Sequence, residues 1–495
     1  MQAQLLDIPN ELTILGAFKR LKTLIGLIIA ASIGAFAFIY FDIPFGVVCA
    51  ALVIATCLPL TIVYPKETFL GFLIVRNMVD ITSAHALVSV GGIALNASAM
   101  MGIAFIVWGM WYFITFWPIP KFSGNLTLYT FLAAGLISVI TSIQPMHSAE
   151  EYIKFLNLAF AFVIAYDITA TKKDMIAVIR AVAYAIIVPA MVAYYQLVTN
   201  TGLHAEINNR VFGTYGHPNT FAFALVLTIA GWAIYAITPS SGNGESKAAH
   251  TMQQSPPARI SKKYLLMMLM LGAILLFTYT RAAWVGIMAI GIVYGLRFHR
   301  AITLMGGIII MLILISFPLL RNTVNDITGY DMRQNQMIMR LSGSEEDTTS
   351  IAWRFRSWNE VSIKLKSMPP FGYGVGMFQQ VRESTISYAT DLRALEAHND
   401  YLRLAIEMGY LGAFTYTVFL IVMVVKCITA SKNAPDLLTR KQFTIAAACA
   451  LAFMVMSMTD NILRGTAVGW LFWAMMGSMI AYATKSGYCG ITKYW

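Results

Sequence analysis

Long apolar runs separated by short polar segments fill the chain from Lys22 to Thr484. About 20 apolar residues cross a hydrocarbon core as a helix, so each run near that length predicts a membrane span. The runs fall near 22–41, 43–63, 68–88, 97–117, 126–143, 152–170, 175–198, 218–238, 264–280, 282–298, 301–320, 402–426, 441–459 and 463–484. This predicts an all-α polytopic membrane protein of about fourteen transmembrane helices. Segments such as 24–40 and 302–320 are apolar all round, which excludes a large water-soluble helical protein with polar stripes. The pattern weakens at 68–88, which contains Arg76, Asp80 and His85. The run 264–298 is too long for one straight span and is divided in two.

Charge then orders the loops. Only 12% of the 495 residues are charged and 58% are hydrophobic, against roughly 25% charged in soluble domains. The net charge of +11 sits in short loops, the signature of membrane orientation, so no nucleic-acid partner is expected. With the N-terminus cytoplasmic (Lys19, Arg20, Lys22), the cytoplasmic loops carry Lys66, Lys121, Lys172, Lys173, Lys262, Lys263, Arg297, Arg300, Lys426, Lys432, Arg440 and Lys485. The opposite loops include 90–96 and the acidic stretch 144–151. Both termini are then cytoplasmic. The start of the chain lacks a basic-then-apolar pattern, so the first apolar helix is expected to act as an uncleaved insertion signal. Residues 239–263, rich in Ser, Gly, Pro and Gln, predict a cytoplasmic linker. Helices 1–11 thus occupy residues 1–320, a large external loop 321–400 forms a helical cap, and helices 12–14 occupy 401–495. Within the cap, 351–368 has helical spacing, and a glycine-rich turn follows at 369–376. The cysteines Cys49, Cys57, Cys427, Cys449 and Cys489 show neither metal-ligand spacing nor a disulfide framework.

Positive charge on the outer side runs against the orientation rule and marks candidate chemistry. Arg210 precedes Val211–Phe212–Gly213–Thr214–Tyr215–Gly216–His217–Pro218–Asn219, and Pro218 fits the first turn of an inward-running helix. The free N–H groups of that helix start suit an anion, and an arginine adds a phosphate fork. Arg281 sits at the start of the helix after Thr280, and His398–Asn399–Asp400 precedes another, with Asn399 or Asp400 as N-cap. Asp460 and Arg464 flank the last outer turn. Bland readings stand beside these: interfacial arginines bind lipid head groups, and His217 and His398 can be local turn or solvated histidines. Arg76 with Asp80, and Arg403 with Glu407, are four apart and read as structural pairs. Taken together, two outer cations and a titratable base suit attack on a substrate with an anionic leaving group.

At these residues the sequence resembles the O-antigen ligase/polymerase superfamily of bacterial membrane glycosyltransferases. The resemblance rests on Arg210 to Asn219, on Thr280–Arg281–Ala282–Ala283–Trp284, and on Pro370–Phe371–Gly372–Tyr373–Gly374–Val375–Gly376. It continues in His398–Asn399–Asp400–Tyr401–Leu402 and Glu407–Met408–Gly409–Tyr410–Leu411–Gly412, and it covers 200–425. Thr280 stands where the family often has Ser. The resemblance implies a GT-C-like fold in the bacterial inner membrane, with the active site on the periplasmic or outer face. It implies an undecaprenyl-pyrophosphate-linked glycan donor, a glycan or lipid acceptor, partners in polysaccharide assembly, and no cofactor or metal. By motif it implies that Arg210 and Arg281 grip the pyrophosphate. His398 acts as base or positions the acceptor, and His217, Asn219, Arg354, Asn399 and Asp400 support them. Arg354 precedes Trp358 in an Arg–x3–Trp pattern. The helix count favours a polymerase over a ligase that joins the glycan to a lipid A core or another acceptor. A transporter of lipid-linked oligosaccharides would place its polar residues near the bilayer midplane. A membrane scaffold would leave the arginines and His398 without a role.

Overall fold

The computed structural model describes residues 61–80, 88–90, 93–118, 124–205, 208–237, 261–301, 303–305, 354, 358–359, 361–383 and 396–489. The predicted helix 22–41, nearly all of 43–63, most of 301–320, most of the linker 239–263, much of the cap loop 321–400, and Cys49 and Cys57 lie outside the described residues. The chain divides into two compact units, Met1–Phe69 and Leu70–Trp495, and every candidate site residue belongs to the second. Of the first, only the residues from Thr61 onward are described.

The elements in order are α1 (Pro65–Arg76), a ribbon of β1 (Val88–Val90) and β2 (Ile93–Leu95), α2 (Ala97–Phe116), α3 (Asn125–Ile140) and α4 (Pro145–Ile168). Then come α5 (Lys172–Tyr184), α6 (Ile187–Thr199), a second ribbon of β3 (Leu203–Ala205) and β4 (Asn208–Arg210), α7 (Pro218–Ala236), α8 (Lys262–Leu276) and α9 (Arg281–Phe298). The chain continues with α10 (Phe378–Glu383), α11 (Asp400–Asn433), α12 (Leu437–Ser457), a 3-10 turn at Ile462–Arg464 and α13 (Thr466–Lys485). Both ribbons are antiparallel, Val88 opposite Leu95 and Leu203 opposite Arg210. Seven segments among the described residues are long and apolar enough to span a membrane, counting α5 and α6 together as Lys172–Thr199. The protein is an all-α polytopic membrane protein.

The predicted division of 264–298 holds: α8 and α9 are separate, turning through left-handed Tyr279 at φ +51°. The predicted span 68–88 does not form one helix. It stops at Arg76, because Asn77 turns its side chain back to the Leu73 carbonyl at 2.8 Å, and residues 88–90 are strand. The span predicted at 175–198 is interrupted at Ala185–Ile186. Pro189 explains the break, since proline donates no N–H to the residue four back and crowds its carbonyl.

α13 is buried along nearly its whole length at the centre of the second unit, against α4, α5, α7 and α11. Gly477 lets it approach α4 so closely that a Cβ there would meet the Phe162 backbone. At the helix ends away from the site, Lys172 donates to Thr439 at 2.7 Å and Lys485 to the Thr169 carbonyl at 2.8 Å.

The glycine-rich turn 369–376 has a structural explanation. α11 breaks at Gly409, whose φ of 70° and ψ of 178° belong to a region that only glycine populates readily. Near this break the carbonyls of Ile406 and Glu407 accept from the backbone N–H groups of Tyr373 and Gly374, each at 3.0 Å. Gly372 and Gly409 allow the contact, since a Cβ on the first would strike the Glu407 backbone and on the second the Pro370 carbonyl. Val361, Met377, Phe378, Val381, Ala397 and Ile406 form a small apolar core beneath the turn. Gly409→Ala is therefore expected to destabilise the fold by about 1–3 kcal/mol through backbone strain, with the contact adding to it. Thermal unfolding in detergent would register this as a lowered midpoint.

Candidate functional site

Four segments meet at one end of the bundle: β4 with the loop into α7, the turn between α8 and α9, the residues entering α11, and the loop between α12 and α13. Each is held by contacts readable from its sequence.

The loop after Arg210 is pinned by Gln196 at the end of α6. Its Oε1 accepts from the N–H groups of Phe212 and Gly213 at 3.0 and 2.9 Å, and its Nε2 donates to the Gly213 carbonyl at 2.9 Å. Gly213 has φ +59°, and a Cβ there would press on the Pro189 carbonyl. Thr214 donates to the Asn77 carbonyl at 2.6 Å, and the Tyr215 hydroxyl donates to Asn77 Oδ1 at 2.5 Å. The loop is thus a fixed mount rather than a flexible connector.

On this mount Arg210 donates from Nε to the Thr278 carbonyl at 2.8 Å. Its Nη2 donates to Asn219 Oδ1 at 2.7 Å and to Thr280 Oγ1 at 3.1 Å. These acceptors are neutral, so the bonds orient the guanidinium without cancelling its charge. They also join the first motif to the second, because Thr278 and Thr280 form the turn that sets Arg281 as the first residue of α9.

Asn219 passes the network on. Its Nδ2 donates to Asp460 Oδ2 at 2.6 Å, while Asp460 Oδ1 lies 3.3 Å from His398 Nδ1 and accepts from the Asn461 N–H at 2.8 Å. Burial raises the Asp460 carboxyl, but the His398 hydrogen bond and the positive charges of His398 and Arg354 outweigh it and hold the group below its ordinary range. An ionised carboxylate only accepts, so His398 Nδ1 carries the proton and Nε2 holds a lone pair whenever the ring is neutral. His398 itself has φ +44°, an uncommon backbone for a non-glycine residue and one found at constrained functional positions.

Arg354 closes the group. It lies within electrostatic reach of both Asp460 and Arg281; burial and the like charge of Arg281 lower its pKa, and Asp460 opposes them. Trp358 anchors the same segment, donating from Nε1 to the Ala397 carbonyl beside His398 at 2.7 Å. The Arg–x3–Trp pair therefore sets one cation near Asp460 while the indole holds the backbone carbonyl of Ala397, just before the histidine.

His217 caps α7, accepting at Nδ1 from the Asn219 N–H at 3.1 Å. Burial, then the nearby positive charge of Arg210, lowers its pKa, so it is a neutral lining group. Asn399 is the cap of α11, accepting from the Leu402 N–H at 3.0 Å. Asp400 is fully buried and takes the N–H groups of Ile462 and Leu463 at 3.0 and 3.3 Å. It ties the loop that carries Asp460 to the helix that carries His398.

In the sequence Asp460 and Arg464 stand out only as charges flanking an outer turn, and Glu396 does not stand out. The structure brings them to a cavity of about 340 Å³ that His217, Asn219, His398 and Asp460 also line. The two other charged pairs are structural. Arg76 bonds Asp80 at 2.9 Å and Thr466 at 2.8 Å, and Arg403 bonds Glu407 at 2.9 Å with Glu151 at 3.8 Å. Among the described residues, no three His, Cys, Asp or Glu side chains are grouped to hold a metal ion.

Residues 265–417 match the family model described as O-Antigen ligase. This bears out the resemblance to the O-antigen ligase/polymerase superfamily drawn from the motifs in that span. The matched span contains Arg281, Arg354 and His398; Arg210 and Asn219 precede it and Asp460 follows it. No curated protein matches the chain.

Proposed function

We propose that this chain, with its O-antigen ligase region, transfers a glycan from undecaprenyl pyrophosphate to an acceptor hydroxyl at the outer face of the bacterial inner membrane. The observation that carries the reading is the hydrogen-bonded chain from Arg210 through Asn219 and Asp460 to His398. A cation and a base are thereby held in one frame.

In this reading the acceptor oxygen attacks the anomeric carbon, the bond from that carbon to the pyrophosphate oxygen breaks, and its electron pair leaves with the pyrophosphate. The acceptor proton passes to Nε2 of His398, while Asp460 stabilises the imidazolium that forms. Arg210, Arg281 and Arg354, with the N-terminal turns of α7 and α9, offset the charge that develops on the leaving group. Arg210 is already oriented before reaction by Thr278, Asn219 and Thr280, so little reorganisation is required of it. The guanidinium groups take the role that a divalent ion would otherwise fill. A single displacement inverts the anomeric configuration, and a product of unchanged configuration would contradict it.

The acceptor is proposed to be a second lipid-linked glycan, which makes the reaction a polymerisation. Purified protein supplied with a defined undecaprenyl-pyrophosphate oligosaccharide should yield a ladder of products on the lipid carrier. A single capped product, formed only when a different acceptor is added, would establish ligation instead. No transfer to either acceptor would remove the glycosyltransferase reading.

A further inference from the structure

The cavity beside His398 carries two groups of side chains. His398 and Asp460 are tied to cations, Arg210 through Asn219 and Arg354 beside Asp460. Glu396, Asn461 and Arg464 line the same cavity, and the phosphate chemistry does not use them.

These three side chains are locked together. Asn461 Nδ2 donates to Glu396 Oε2 at 2.8 Å, Arg464 pairs with Glu396 Oε1, and Gln379 donates to that same oxygen at 2.8 Å. Asn461 Oδ1 accepts from the Asn399 N–H at 3.3 Å, and the Asn461 N–H bonds Asp460. The cluster is therefore rigidly tied to the His398–Asp460 pair. It is also reachable: the Glu396 and Arg464 side chains keep 26% and 40% of their surface exposed. A carboxylate offers about four lone-pair sites and a guanidinium five N–H groups, so both retain bonding capacity after these contacts.

Two carboxylates on this cavity, Glu396 and Asp460, disfavour a phosphate here. They suit hydroxyls, which donate to a carboxylate and accept from a guanidinium. Ile462 and Val468 supply an apolar wall, and the cavity volume of about 340 Å³ is that of a small-molecule cleft. We propose that Glu396, Asn461 and Arg464 form the acceptor subsite, gripping hydroxyls of a neutral sugar ring so that a neighbouring hydroxyl faces His398. This rests on the glycosyl-transfer reading above. It adds that acceptor selection is made by Glu396 and Arg464.

The test uses full-length protein in detergent, with a water-soluble oligosaccharide of the donor's own repeat as acceptor probe. Acceptor binding without donor is followed by ligand-observed NMR. Native protein should bind the oligosaccharide, and Glu396→Gln, which keeps the side-chain shape, should weaken binding about tenfold. In turnover, Glu396→Gln should raise the acceptor KM by a similar factor and leave the donor KM within twofold. A series of acceptors lacking one hydroxyl each should show one analogue bound about tenfold more weakly by native protein but not further weakened by Glu396→Gln. A purely structural Glu396 would penalise every analogue alike. The inference is overturned if native protein does not bind the oligosaccharide, if donor and acceptor KM rise together, or if all analogues suffer equally. Failure of transfer with acceptor binding intact would instead count against the glycosyl-transfer reading.

Discussion

His398→Ala is expected to lower the transfer rate by roughly 10²–10⁴, the usual contribution of a positioned general base, while the protein still inserts and folds. The loss should fall on kcat, because the proton moves only in the transition state. Asp460→Asn tests the arrangement behind the base. The amide preserves shape, but it can donate as well as accept and no longer fixes the proton on Nδ1 of the ring 3.3 Å away. A smaller loss in kcat is expected. Because Asp460 is held below the ordinary carboxylate range, its support is present at neutral pH and is lost only as pH falls through that lowered value. Activity measured between pH 5 and 8 should therefore show no step from this carboxyl. Near-native turnover by His398→Ala would remove its role as base.

The helices were legible wherever apolar length alone decides them. Polar helix ends were not. The predicted 152–170 begins at Pro145, and the missed turns carry Glu151, which pairs with Lys154 and also lies 3.8 Å from Arg403. A hydropathy reading discards such a residue because it sees the charge and not its partner 252 positions later. Gly409 shows the same limit: its spacing in Glu407–Met408–Gly409 marked a motif, but only the Tyr373 and Gly374 contacts explain it as a notch for the glycine-rich turn. At the site, Arg210, Arg281 and His398 were readable as outer charges next to helix starts. Asp460 was visible as a charge in a loop between apolar helices, yet its bond to a histidine 62 positions earlier follows from the packing of α11 against α12. Asn219 is marked in the sequence only through the family motif, as a supporting residue, and its two-ended amide, accepting from Arg210 and donating to Asp460, exists only in three dimensions.

Arg210→Ala and Arg281→Ala should each reduce transfer by about 10²–10³, the scale of losing one preorganised donor to developing negative charge. Their lysine replacements separate charge from geometry. Lysine keeps the charge but has no planar fork. At Arg210 the fork is in use: Nε meets the Thr278 carbonyl and Nη2 meets Asn219 and Thr280. Arg210→Lys should therefore recover little, and it should also loosen the Asn219–Asp460 contact, lowering kcat even when donor is saturating. Arg281 stands at the first turn of α9, where the helix N–H groups supply directional bonding themselves, so charge alone should suffice and Arg281→Lys should recover much of the activity. The double alanine variant should lose less than the product of the single effects, since both cations act on one leaving group. Single-turnover transfer from a defined lipid-pyrophosphate donor measures all five variants. Equal recovery by both lysine variants would show that Arg210 contributes charge only, and undiminished transfer by either alanine variant would remove that arginine from the pyrophosphate site.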